Sequence, residues 1–238
     1  MRVRRSAVNL LASIGFCLLA VSAKATDEIG DVIYPEYNGA LGYQATGQQH
    51  ELRPQEPVFK DERVVTGSQA ATSIRFLDKT VLDVGSNSDV VLDELIFNPD
   101  NTGSGVLNLT TGAFRIVSGA MPDGAMTITT PTVTIGIRGT EIVIFILKDG
   151  TTEVNLIHGA LTNRVCESAD AIPLAAGQQL LVSSDCQVAI GVARAVPTGI
   201  PQMPDDLAAL EGVTPAAGGT VSASSAPPRD ERDHGSPN

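Results

Sequence analysis

The run Thr129-Thr130-Pro131-Thr132-Val133-Thr134-Ile135-Gly136-Ile137-Arg138-Gly139-Thr140 constrains the fold more than any other stretch of this chain. Val133, Ile135 and Ile137 recur at period two, with Thr132, Thr134 and Gly136 between them. Successive side chains of a strand point to opposite faces, so this is the pattern of a half-buried strand. Ile142, Ile144 and Ile146 repeat it beyond the Arg138-Gly139-Thr140 break. The proline and the two glycines set turns, which predicts a bent strand whose isoleucines fill a core.

From Ile29 to about Gln187, short alternating apolar runs are punctuated by glycine, proline, asparagine and aspartate, with no helical pattern of any length. That describes an all-β domain. Val64-Val65-Thr66-Gly67 ends one strand, Ile74 and Phe76 mark the next, and Leu82 and Val84 lead to a turn at Gly85-Ser86-Asn87. Val90 and Leu92 resume the alternation until Leu95-Ile96-Phe97 stops at Asn98-Pro99-Asp100. The stretch from Asn98 to Gly105 reads as an exposed loop, because proline removes a ladder donor and glycine weakens pairing. Turns are expected at Thr111-Gly112 and Pro122-Asp123-Gly124. Asp149-Gly150 tolerates the positive φ of a tight hairpin turn between the Ile142 to Leu147 and Val154 to Ile157 runs. Leu174, a turn at Gly177, Leu180 to Val182 and Val188 to Ile190 extend the pattern.

The N-terminus carries Arg2, Arg4 and Arg5, an apolar run from about Ala7 to Ala20, and small residues at Val21-Ser22-Ala23 and Ala23-Lys24-Ala25. This is the layout of a secretory signal peptide cleaved after Ala23 or Ala25, with the second site favoured. The apolar run is shorter than the roughly 20 residues that span a bilayer, and Phe16 before Cys17 argues against lipidation. No membrane insertion is expected after cleavage, and the chain is expected in the periplasm or outside the cell. Cleavage after Ala25 removes four of the 16 basic residues and leaves 12 against 27 acidic ones, a net charge of −15. So acidic a surface repels phosphate backbones, which sets nucleic-acid partners aside. Aromatic residues are 4% and tryptophan is absent, so the core is aliphatic and few rings exist for stacking on sugars or bases.

Export also decides how the cysteines read. Only Cys166 and Cys186 remain after cleavage, in a compartment that permits disulfides, and they are expected to pair. A metal site would need more soft ligands, yet there is no Cys-x-x-Cys and His50, His158 and His234 are scattered. Beyond about Ala195 the composition shifts to proline, alanine, glycine and serine, which cannot bury enough apolar surface to offset chain entropy. The chain thus divides into a signal peptide (1–25), a segment leading into the β domain (26–57), a β core (58–165), a β extension with the disulfide (166–194) and a disordered tail (195–238).

Several segments in fixed order carry a family likeness: Val64 to Gly67; Ile74 to Thr80; Val84 to Asp93; Gly112 to Gly119; the run from Thr130 and Pro131 to Glu141; and Val154 to Gly159 after the Asp149-Gly150 turn. Together they resemble the FecR domain of exported bacterial proteins. The resemblance implies a two-layer antiparallel β-sandwich of jelly-roll-like type in a periplasmic setting. Thr130, Pro131, Ile135, Gly136, Arg138, Gly139, Thr140, Asp149 and Gly150 are then structural motif residues. Where family members often carry glycine after the aspartate of an early turn, this chain has Lys79 after Asp78, which predicts a longer turn or one of another type. The best-known members hold a sigma factor through a cytoplasmic helical domain joined by a membrane helix. Only a few residues precede the apolar segment here, so anti-sigma activity is not expected.

No catalytic, cofactor or metal set emerges. No serine sits in a Gly-x-Ser-x-Gly elbow, and nothing assembles a Ser-His-Asp set. A carboxylate pair among Asp78, Asp83, Asp89, Asp93, Asp100 and Asp123 has the solvated surface as its simpler reading. Asn98 to Asn101 lacks calcium-loop spacing. Arg138 is read as bonding turn carbonyls, with Glu141 neutralising it, and His158 as a structural or exposed histidine. The expected function is a non-catalytic periplasmic module that binds an envelope protein in sensing or signalling, through strand edges or loops. A glycan- or peptidoglycan-binding or structural envelope protein is the alternative.

Overall fold

A computed structural model of the chain describes residues 27–34, 39–98, 102–168 and 170–194. The expected signal peptide (1–25) and the expected disordered tail (195–238) lie outside the described residues. Within them the chain forms strands and no helix: β1 (Glu28–Tyr34), β2 (Leu41–Tyr43), β3 (Gln49–Glu51), β4 (Pro57–Phe59), β5 (Glu62–Val65), β6 (Thr72–Phe76), β7 (Val81–Val84), β8 (Asp89–Asn98), β9 (Thr102–Val117), β10 (Met126–Thr129), β11 (Val133–Ile146), β12 (Thr152–Val165), β13 (Gln178–Val182) and β14 (Val188–Val192). They form one hydrogen-bonded network in the order β14-β13-β12-β11-β10-β9-β7-β6-β1-β4, with β8, β5, β2 and β3 branching from β9. The all-β expectation holds. The sheet is mixed rather than wholly antiparallel, because β9 and β10 run parallel from Met126 opposite Gly105 to Thr129 opposite Asn108.

Two long strands hold the network together, and each is bent by glycine. The first part of β9 lies against β8 and β10, and the part after Gly112 lies between β7 and β11. Buried positions are Leu107 and Leu109 before Gly112, then Phe114 and Ile116 after it, so the phase slips by one residue. Gly112 has φ +117, and a Cβ there would stand 2.1 Å from Ser88 Oγ. The expected Thr111-Gly112 turn is therefore a kink in one continuous strand. β11 does the same at a bulge between Arg138 and Glu141, switching from Val133, Ile135 and Ile137 to Ile142, Ile144 and Ile146. Each slip keeps the apolar side chains on the inner face as the strand passes from one set of partners to the next.

One continuous core of Ile, Leu, Val and Phe drawn from nearly all the strands is closed to water. An open sheet would leave that face wet, and no described helix covers it. The sheet itself wraps around the core, each fully buried Leu or Ile contributing about 1.5–3 kcal/mol.

Other local expectations change too. Thr102, Gly103, Ser104 and Gly105 are not loop but the first residues of β9, paired with Asn98, Phe97, Ile96 and Leu95. Gly105 suits that place because a Cβ would meet Met126 Sδ at 2.8 Å. The β6–β7 turn holds a lysine in the backbone conformation that glycine favours. Lys79 itself takes φ +71, while the buried Asp78 carboxylate accepts from Thr80 N and Oγ1 at 3.0 and 2.6 Å. The Asp149-Gly150 hairpin forms as expected, with Gly150 at φ +92 and Asp149 Oδ1 accepting from Thr151 N at 2.8 Å. Leu174 packs on the core without joining a strand.

Candidate interaction surface

Among the described strands three have a partner on one side only: β3, β4 and β14. An open edge invites another chain, and natural sheets blunt it with charge or proline. β3 carries His50 and Glu51, and β4 begins with Pro57, which removes a donor. β14 is Val188-Ala189-Ile190-Gly191-Val192, with neither device, and all five residues are exposed.

The direction of its free groups follows from the ladder. Ser183 N donates to Gln187 O at 3.0 Å and Ala193 N to Gly177 O at 2.9 Å, so those opposed pairs are the hydrogen-bonded ones. Alternation along an antiparallel pair then turns the N–H and C=O of Val188, Ile190 and Val192 outward. Their side chains share the inner face with Leu180 and Val182, yet stay 41%, 51% and 83% exposed. Backbone donors, acceptors and an apolar strip thus coincide at one edge. The Cys166–Cys186 disulfide joins the end of β12 to the β13–β14 turn, with Cα atoms 6.3 Å apart, and fixes the hairpin that presents this edge.

Away from that edge, the outer face of β1, β6, β7, β9 and β11 carries a row of ion pairs. Arg75 donates to Asp31 at 2.8 Å, and Arg115 donates to Asp83 at 2.9 Å and to Glu141 at 2.8 Å. Burial works against the Arg115 charge, but its bonds to Asp83 and Glu141 outweigh that and hold its pKa above the ordinary value. Sequence reasoning passed over Arg115, whose central place arises only when β7, β9 and β11 align.

The expected pairing of Arg138 with Glu141 is overturned. Arg138 reaches Asp123 of the Pro122–Gly124 turn at 2.7 Å, both well exposed, while Glu141 belongs to Arg115. The bulge between them separates the two side chains.

The motif residues do structural work. Thr140 accepts from Arg138 N at 2.8 Å and donates from Oγ1 to Ala160 O, which fastens the bulge to β12. Thr130 Oγ1 and Val133 exchange bonds at 2.9 and 3.0 Å. Pro131 packs beside Gly150, Gly136 leaves room for Thr162 Oγ1, and Ile135 is fully buried. Gly139 takes φ +53 at the bulge. His158 is exposed. His50 meets the fully buried Glu62 at 2.6 Å, a pair unforeseen in the sequence, and Glu62 also accepts from Phe59 N at 2.8 Å. Among the described residues no group of three or more His, Cys, Asp and Glu side chains could hold a metal ion. No described helix is long and apolar enough to cross a membrane.

A family model for the FecR protein matches residues 62–162. Over that span the chain is similar to the FecR domain. The match runs from the start of β5 into β12, so β13, β14 and the disulfide lie beyond the matched span. Among solved structures, two crystal structures of a candidate anti-sigma factor from Parabacteroides distasonis, at 2.50 and 1.65 Å, are similar. Each shares 13% identity, covers 55% of this chain and 59% of that chain, and has a TM-score of 0.46. The chain spans about three fifths of the length of that solved protein. No curated protein matches the chain.

Proposed function

We propose that this FecR-like chain is an exported, non-catalytic envelope module that binds a partner protein in signalling, by adding an extended segment of that partner to β14. The observation that carries the reading is the unprotected edge, where three outward N–H and C=O sets accompany exposed Val188, Ile190 and Val192. Strand addition gains affinity from main-chain bonds and specificity from alternate side chains. The partner segment should therefore be extended, with apolar residues at every second position. Export is supported by the Arg2 to Ala25 layout and by the Cys166–Cys186 bond, which persists in oxidising compartments.

The test uses the secreted chain as bait in periplasmic extract, beside an Ile190→Pro variant. The Ile190 N–H points away from β13, so proline there removes an outward donor without breaking the β13–β14 ladder. A stoichiometric protein captured by the natural chain and lost with Ile190→Pro supports the proposal. Equal capture by both chains, or retention only on purified peptidoglycan, overturns it.

A further inference from the structure

The open edge at β14 carries its own complement. The segment that fits it is extended, with an apolar side chain at every second position, and β14 is such a segment: Val188, Ile190 and Val192 alternate with Ala189 and Gly191. Its outward N–H and C=O groups belong to Val188, Ile190 and Val192, an array symmetric about Ile190. An isologous contact needs one surface that matches its own two-fold image, and a strand edge symmetric about its middle residue meets that condition when a second copy runs the other way.

A two-fold axis beside Ile190 sets that residue opposite its counterpart in the second copy and sets Val188 opposite Val192 at both ends. Each of these pairs exchanges both N–H···O bonds, because its groups already point outward. The strands come closest at the positions between, where Cα atoms stand about 4.5 Å apart, and only Ala189 and Gly191 meet there. The exposed strips of Val188, Ile190 and Val192 then lie side by side on one face.

Charge selects the same arrangement. The chain is acidic, with a net charge of −11, yet β14 carries no charge and the acid of its hairpin is Asp185, in the turn. Antiparallel pairing puts the two copies of Asp185 at opposite ends, about ten residues or roughly 33 Å apart. That is far beyond a Debye length of about 8 Å, whereas parallel pairing would set them side by side.

We propose that two copies of this chain pair antiparallel through β14, joining their sheets about a two-fold axis at Ile190, and that this dimer covers the edge until a partner segment displaces it. The dimer rests on the geometry of the edge alone; the displacement rests on the partner reading. One short strand a side is far less than the about 20–30 residues a side of a stable interface, so the dimer is weak and exchanges readily, as a removable cover must.

Sedimentation velocity and residue-resolved amide exchange test it on the oxidised chain over a dilution series reaching near-millimolar concentration. With rising concentration the chain should pass from monomer to dimer, and the amides of Val188, Ile190 and Val192 should exchange several-fold more slowly, while Ala189 and Gly191, already bonded to β13, change less. Ile190→Pro should stay monomeric. If proline loosens the hairpin, seen as faster exchange at Ala189, Val192→Asp decides, because it keeps every backbone group and sets a carboxylate against the apolar strip of the second copy; it too should stay monomeric. A natural chain that is monomeric throughout overturns the dimer and leaves capture of a partner from extract to be read on its own. A dimer that persists in the deciding variant, or that leaves the three amides fast, also overturns it, because the copies then meet elsewhere.

Discussion

Replacing Cys166 and Cys186 with serine should cost the fold about 3 kcal/mol. The two residues are 20 apart in sequence, and in the chain-entropy model a loop of that length gives roughly 3 kcal/mol through restriction of the unfolded chain. The native side of the balance changes little, because β13 keeps its four pairs to β12, from Thr152 opposite Val182 to Asn155 opposite Gln179. For a domain of this size about 1 kcal/mol shifts the melting temperature by roughly 2–4 °C, so the expected fall is about 6–12 °C. Differential scanning calorimetry of the oxidised chain, the reduced chain and the double serine variant measures it. The reduced and serine forms should melt together, and amide exchange in β14 should rise in both. A melting temperature unchanged by removing the bond would refute the reasoning, since it would mean the loop is already closed in the unfolded chain or the bond strains the native hairpin.

Three substitutions probe the local geometry. Lys79→Gly should stabilise by about 0.5–1 kcal/mol in urea titration, because relief of a φ of +71 outweighs the added freedom of glycine in the unfolded chain. Gly159→Ala should destabilise by about 3 kcal/mol in the same assay: Gly159 has φ +83, and a Cβ there would stand 2.0 Å from Gly139 O. Arg115→Met should cost about 2–4 kcal/mol, since Asp83 and Glu141 both lose a charged donor and Glu141 recovers some water at the surface. Adding Asp83→Asn to Arg115→Met should return part of that loss, and a strictly additive second loss would show that Arg115 does not hold Asp83.

The edge and the ion-pair row differ from the strands in how far the residues alone reveal them. Period-two alternation made the strands legible, because side-chain direction in a strand is local geometry. The Asp149-Gly150 hairpin was legible for the same reason, being set by two residues. Thr111-Gly112 and Asn98 to Gly105 were misread because glycine marks both a turn and a kink inside a strand. Only the partners, Ser88 beside Gly112 and Met126 beside Gly105, choose between the two. Lys79 shows the converse, with the packing around Asp78 holding a lysine in a backbone conformation that glycine favours.

By itself the sequence determined the all-β class, the turns with a local signature and the motif that resembles the FecR domain, since each rests on neighbours a few residues apart. The cysteine count made the disulfide expected. Which strands lie at an edge, that Arg115 rather than Arg138 holds Glu141, and that Val188, Ile190 and Val192 stand exposed beside a buried Leu180 were decided by the tertiary structure. The physical reason is that an exposed valine and a buried one read alike along the chain. Burial belongs to the neighbours that the fold brings, or leaves out, across space.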